Sequence, residues 1–168
     1  MKRGDELTLN IGCGEDRFGD VRLDLSPTSS ATIIADAQNL PFRDSVFERI
    51  YERNLLEHLP NPGKHLFEVK RVMKPGALLS LVTDNAACLK YYLLGTHTGG
   101  YRKREGRDRH YALFTAEHVK NLMGHAGISV DKISYVETDY FTRFFDRLVR
   151  MFAPSLSHPR IFVEARKT

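Results

Sequence analysis

Two cysteines, Cys13 and Cys88, are the only thiols in 168 residues. That is too few for a disulfide framework, and no zinc-binding spacing surrounds them. A reduced cytoplasmic setting is the expectation that follows. No apolar run approaches the roughly 20 residues that span a bilayer. The basic start Met-Lys-Arg-Gly-Asp-Glu is not followed by an apolar signal core, so export is not expected. No repeat and no low-complexity segment interrupts the chain. What remains is an ordinary soluble composition, 42% apolar and 27% charged, with enough length for one well-buried domain over residues 1–168.

The net charge of +4 conceals an asymmetry. Residues 1–85 hold 11 Lys/Arg against 13 Asp/Glu, a balance of −2, and residues 86–168 hold 14 against 8, a balance of +6. A basic second half suits an anionic partner such as RNA, a phosphate-bearing metabolite or an anionic lipid surface; a solvated face is the plainer reading. Apolar runs with strand character cover Leu7–Ile11, Val21–Leu25, Thr32–Ala35, Arg49–Glu52, Ala77–Thr83, Ile128–Thr138 and Ile161–Ala165. Helical spacing marks Lys64–Met73, opened by Pro62-Gly63 and ended by Lys74-Pro75-Gly76. It marks Thr115–His125 too, with Thr115 as N-cap and Gly124 near the end. Strands alternating with helices predict an α/β domain whose parallel sheet is covered on both faces. The stretch His97–His110 is polar, basic and glycine-bearing, a length of loop that more often serves function than structure.

The most informative segment is Leu7–Asp24. One strand ends in Gly12-Cys13-Gly14, where backbone can approach a ligand because no Cβ intervenes. The next strand ends in Asp24, a carboxylate able to accept both hydroxyls of a ribose. The dinucleotide pattern Gly-x-Gly-x-x-Gly would need glycine where Arg17 stands, and the phosphate-binding Gly-x-x-x-x-Gly-Lys-Ser/Thr loop is absent. Neither a pyrophosphate nor a triphosphate therefore has its usual seat. After the third strand, Asp36-Ala37-Gln38-Asn39-Leu40-Pro41-Phe42 offers an acceptor for an adenine amino group, a backbone amide for a ring nitrogen, and apolar cover from Leu40 and Phe42. Asn54-Leu55-Leu56-Glu57-His58-Leu59 and Arg71-Val72-Met73-Lys74-Pro75-Gly76 follow in order.

In these motifs the chain resembles the class I S-adenosylmethionine-dependent methyltransferases, specifically the short type 11 branch. The resemblance covers about residues 7–84. It implies a Rossmann-like three-layer sandwich with a mostly parallel seven-stranded sheet and an antiparallel last strand, and S-adenosyl-L-methionine as cofactor. Carried over residue by residue, Gly12 and Gly14 would pass beneath the methionine and ribose, Asp24 would bind the ribose, and Asp36 with Ala37 would hold the adenine. Arg53 and Asn54 would flank the methionine end; Asn10, Cys13 and Leu25 complete the expected cofactor-binding set. Two departures stand out: Asp16 occupies the place of a frequent third glycine, and only nine residues separate Gly14 from Asp24, leaving the helix between the first two strands shortened or missing.

Cys13 has no basic neighbour in sequence and reads as a packing residue. Glu57-His58 lacks a nearby second His or Cys pair, so no metal is expected and the pair reads as an anchor for the helix following the fourth strand. His110 is the candidate general base, with a lid or packing role as its rival; Tyr111 shares that position. The stretch 140–152 is amphipathic, with Phe141, Phe144, Phe145, Leu148 and Phe152 opposite Arg143, Arg147 and Arg150. Such a pattern packs on its own domain or a homodimer partner, or lies on an anionic membrane surface. The expected reaction is methyl transfer to a small-molecule, lipid or glycan acceptor. RNA is the rival acceptor, although no Asn/Asp-Pro-Pro-Tyr/Phe tetrapeptide follows the fourth strand, where Glu52-Arg53-Asn54-Leu55 stands. A non-catalytic cofactor-binding or regulatory protein is the third reading.

Overall fold

The computed structural model describes residues 6–89, 110–136, 149 and 151–168. Seven strands form one sheet: β1 (Thr8–Ile11), β2 (Val21–Asp24), β3 (Ile33–Ile34), β4 (Phe47–Arg53), β5 (Met73–Asp84), β6 (Ile128–Val136) and β7 (Arg160–Lys167). Their order is β3-β2-β1-β4-β5-β7-β6. The first five are parallel neighbours, and β7 runs antiparallel to both β5 and β6. This is the expected Rossmann-like sheet with its antiparallel last strand.

Register explains which side of the sheet is buried. Leu9, Ile50, Leu79 and Ala165 lie in one row across β1, β4, β5 and β7, and Ile11, Glu52, Leu81 and Val163 in the next. All of these residues are essentially inaccessible to solvent. The intervening row is Asn10, Tyr51, Ser80 and Glu164, polar and mostly half-buried. Alternation along each strand thus sends one set of side chains to the apolar core. Helices α1 (Pro62–Val72) and α2 (Ala116–Ala126) close over that core with Leu66, Val69 and Val72, and with Val119 and Met123. On the opposite face, among the described residues, the loop after β1 supplies cover, Phe18 meeting Tyr51 edge-on at 5.3 Å. A one-turn helix, α3 (Pro154–Ser157), leads into β7.

Caps set the helix ends. The Asn61 side chain accepts from the Lys64 N–H at 2.9 Å and Pro62 opens α1. Thr115 accepts from the His118 N–H in a capping box, as its place before the periodic run suggested. The structure refines several details of the sequence reading. Gly124 lies near the end of helix α2 as expected, and the helix closes at Gly127, whose N–H returns to the Gly124 carbonyl at 3.0 Å. Lys74-Pro75-Gly76 does not precede β5 but lies inside it, beside a register shift against β4. No helix joins β1 to β2, one of the two outcomes the nine-residue spacing allowed, but the helix expected after β4 is only the 3-10 turn Leu56–His58. The basic loop 97–109 and most of the amphipathic stretch 140–152 lie outside the described residues. At the end of that stretch Met151 and Phe152 are exposed.

Candidate cofactor site

A doubly wound sheet binds ligands beyond the carboxyl ends of its strands, where strand order reverses. Here that point lies between β1 and β4. The two loops there come very close: a Cβ added to Gly12 would stand 2.9 Å from Leu55 Cδ1, and Gly12 has a φ of 69°. Gly14 also has positive φ, 52°, but a Cβ there would meet nothing within 4 Å. Packing therefore requires glycine at the first position, whereas open space remains above the second. Beside it, Asp24 accepts from the Gly14 N–H at 2.8 Å through one oxygen and from the Ser26 N–H at 2.7 Å through the other. Each oxygen retains lone-pair capacity after these bonds. Leu25 follows with 63% of its surface exposed, an apolar face beside that carboxylate.

The next wall is the loop after β3. Asp36 accepts from the Gln38 N–H at 2.8 Å and from the Asn39 amide at 3.3 Å. Burial works against its charge, but these bonds together hold the carboxyl below its ordinary value. Ala37 is buried, and its carbonyl lies 2.9 Å from His65 Nδ1. The other ring nitrogen of His65 meets Glu52 at 2.6 Å. Burial would drive the His65 proton off, but two acceptors, one a carboxylate, outweigh it and raise the pKa. His65 thus ties α1, β4 and the loop carrying Asp36 into one unit. Arg71 does the same farther along, donating to the Leu40 and Phe42 carbonyls at 2.9 and 2.7 Å. Glu68 holds Arg71 at 2.8 Å and accepts from the Leu40 N–H at 2.8 Å. Sequence reasoning missed the positioning work of His65, Glu52, Glu68 and Arg71. Its signal was the helical motif around Arg71, which sits in order with the others but does not show what it touches.

The far side of the crevice is polar and buried. Asn54 takes a left-handed φ of 52° at the end of β4, a conformation asparagine tolerates better than most residues. Its amide oxygen, turned to satisfy both ends of the group, accepts from Arg160 at 3.1 and 3.3 Å. Arg160 also stands 3.6 Å from Asp84. Glu57 is fully buried, one oxygen accepting from the Thr83 hydroxyl at 2.6 Å. Burial pushes its pKa up to about 7, against that hydrogen bond. His58 and His110 meet edge to face at 4.5 Å.

Residues 14–81 match the model of a methyltransferase domain, type 11. Over that segment, about two fifths of its length, the chain is similar to the S-adenosylmethionine-dependent methyltransferases of type 11. The malonyl-[acyl-carrier protein] O-methyltransferase of Geobacter sulfurreducens is 28% identical over 112 residues, which are 64% of this chain and 41% of that protein. The sterol 4-C-methyltransferase strm-1 of Caenorhabditis elegans is 43% identical over 44 residues, 26% of this chain and 13% of that one. The chain therefore matches less than half the length of either curated relative. An S-adenosylmethionine-dependent methyltransferase structure from Archaeoglobus fulgidus superposes with a TM-score of 0.69 at 19% identity, covering 98% of this chain and 87% of that one. At that identity the likeness speaks for the fold.

This methyltransferase family and fold imply S-adenosyl-L-methionine as cofactor, and the crevice fits it. The open space over Gly14 and the unfilled acceptor capacity of Asp24 suit a ribose. The rigidly held Asp36-Ala37 loop and exposed Leu25 suit an adenine. The other expected residues have these places and partners. Asn10 is buried and donates to the Phe18 carbonyl at 3.2 Å, closing the loop after β1. Cys13 is buried, its thiol pushed up first by burial and then by Asp24, in keeping with packing. Arg53 is exposed at the end of β4, whereas Asn54 braces Arg160. His110 lies across the crevice beside Asp84, 3.9 Å from its carboxylate.

Proposed function

We propose that this chain binds S-adenosyl-L-methionine at the β1–β4 crevice and moves its methyl group to an oxygen, nitrogen or carbon nucleophile on a small molecule, lipid or glycan. The donor supplies an electrophilic methyl on a sulfonium: the acceptor's electron pair forms the new bond, and the S–CH3 pair returns to sulfur, leaving S-adenosylhomocysteine. The chain's own contribution is alignment and exclusion of water. Asp24 would accept the ribose hydroxyls, Gly12 and Gly14 would admit the backbone close beneath the donor, and Asp36-Ala37 would fix the adenine. Arg71 and His65 would hold the adenine loop before any ligand arrives, which lowers the ordering cost of binding. The single observation that supports this most is the open, positive-φ Gly14 hydrogen-bonded to the Asp24 carboxylate.

The relatives' names, an acyl-carrier-protein O-methyltransferase and a sterol C-methyltransferase, lend support to a non-nucleic-acid acceptor. The balance of +6 in residues 86–168 keeps RNA as the second acceptor class. Calorimetry with S-adenosylmethionine and S-adenosylhomocysteine tests the donor. Transfer of labelled methyl to metabolite, lipid and RNA extracts then tests the acceptor. Absence of both heat and thermal stabilisation with either nucleoside would overturn the proposal. Label found in RNA alone would replace the acceptor class.

A further inference from the structure

We infer that Glu57, His58 and His110 form a site for a divalent transition metal of zinc-like chemistry, with one coordination position left open for an oxygen ligand. One ligand atom of each residue lies within 4.8 Å of the other two. Donors around a single tetrahedral zinc stand roughly 3.3 Å apart, given bonds of about 2.0–2.1 Å. Binding would draw the donors together by up to about 1.5 Å.

The second observation is Glu57 itself. Its side chain is completely buried, Oε2 accepts from the Thr83 hydroxyl at 2.6 Å, and Oε1 is buried without any hydrogen-bond partner. Buried carboxylate oxygens are ordinarily satisfied by a donor or a cation, and no donor is placed for this one. The Thr83 hydroxyl orients the carboxylate as outer partners orient metal ligands, and Asp84 Oδ2 stands 3.9 Å from His110 Nδ1, in ion-pair reach but beyond a hydrogen bond.

The third ligand is held in place by backbone. The Tyr111 N–H donates to the Glu57 carbonyl at 2.8 Å, and the Ala86 N–H to the Phe114 carbonyl at 2.9 Å. His110, 52 residues beyond His58 in sequence, is thereby pinned against the 3-10 turn and buried. Two imidazoles and a carboxylate suit zinc, iron, cobalt or nickel rather than calcium or magnesium, which prefer all-oxygen sets. Three protein ligands are the mark of sites that keep a position open for water or substrate. His58 is only partly buried, so the cluster reaches solvent on one side.

The cluster lies beyond the carboxyl ends of β4 and β5, as the glycine cradle lies beyond those of β1 and β2. Resting on the methyltransferase reading, the open position would take a hydroxyl or carboxylate oxygen of the acceptor, where a Lewis acid lowers the proton affinity of a hydroxyl.

The test uses the full chain, stripped with a chelator and dialysed. Zinc is titrated by calorimetry and cobalt(II) by visible absorption. One ion per chain is expected, with the intense ligand-field bands of four- or five-coordinate cobalt. His58→Gln and His110→Gln, each confirmed folded by circular dichroism, should weaken zinc at least a hundredfold and abolish those bands. Acetate added to the cobalt protein should shift them, marking the open position. No ion at stoichiometric strength would overturn the site, and so would identical binding in both variants, the sign of an adventitious ion only. Unshifted bands would overturn the open position. Donor calorimetry on the stripped protein separates the two readings: donor binding without metal binding sinks this inference alone, and the converse sinks the proposed function alone.

Discussion

Asp24 carries more of the proposed cofactor contact than any other side chain, and its bonds show why. Its two oxygens already organise the Gly14 and Ser26 amides, so the carboxylate is oriented before a ligand arrives. Asp24→Ala is expected to weaken S-adenosylhomocysteine binding more than tenfold in calorimetry, because a desolvated ribose loses a charged acceptor. Affinity unchanged by that substitution would remove Asp24 from the site. Gly12→Ala tests the other half of the cradle. Its Cβ would stand 2.9 Å from Leu55 in a left-handed backbone. The variant should lose about 1–3 kcal/mol of stability in urea unfolding. Gly14→Ala, with open space around it, should lose less stability yet bind donor poorly.

At the scale of elements, the His65–Glu52 pair joins α1 to β4 and, through Ala37, to the loop after β3. His65 holds its proton more tightly folded than unfolded, since Glu52 and the Ala37 carbonyl, with the field of Asp36, outweigh burial. A raised pKa means the folded state binds more protons over the window between the two values. The pair's contribution is therefore complete below the ordinary histidine value of about 6.5 and is lost as pH rises through the folded one. Urea midpoints are expected to fall from pH 7 toward pH 9. Glu52→Gln should flatten that slope and cost about 3–5 kcal/mol near pH 6, the penalty for leaving a buried cation unpaired. A slope that persists in the variant would assign the titration to another group.

For the molecule as a whole, most buried polar residues among those described gather at one end of the sheet. Glu52, Glu57, His65, Thr83, Asp84, Asn85 and His110 cluster around the carboxyl ends of β4 and β5 or against them, with Asn10 buried on β1 and Ser157 before β7. Ligand binding at that end should therefore be coupled to global stability. With S-adenosylhomocysteine at a hundred times its dissociation constant, unfolding should cost about 2.7 kcal/mol more, read as a rise of several degrees in Tm. If RNA is the acceptor, its affinity should fall steeply and log-linearly with salt. A small-molecule acceptor should show little such dependence.

Much of this was legible along the chain. Gly12, Gly14, Asp24 and Asp36 belong to consecutive strand tips, so a contiguous stretch of sequence spells out one end of the sheet, and alternation of apolar residues marks the strands. The missing helix after β1 was one of the two outcomes that counting nine residues allowed. An antiparallel last strand was implied only by resemblance, and the insertion of β7 between β5 and β6 came from the structure, because strand pairing is a non-local choice that periodicity does not encode. The same holds for side chains that meet across elements. His65 and Glu52 look like a helix residue and a strand residue until packing presses them together. Glu57-His58 is an incomplete pair until the segment after residue 109 is hydrogen-bonded to the 3-10 turn. Backbone motifs are local and announce themselves, whereas buried charges find their partners only when the tertiary fold removes water from between them.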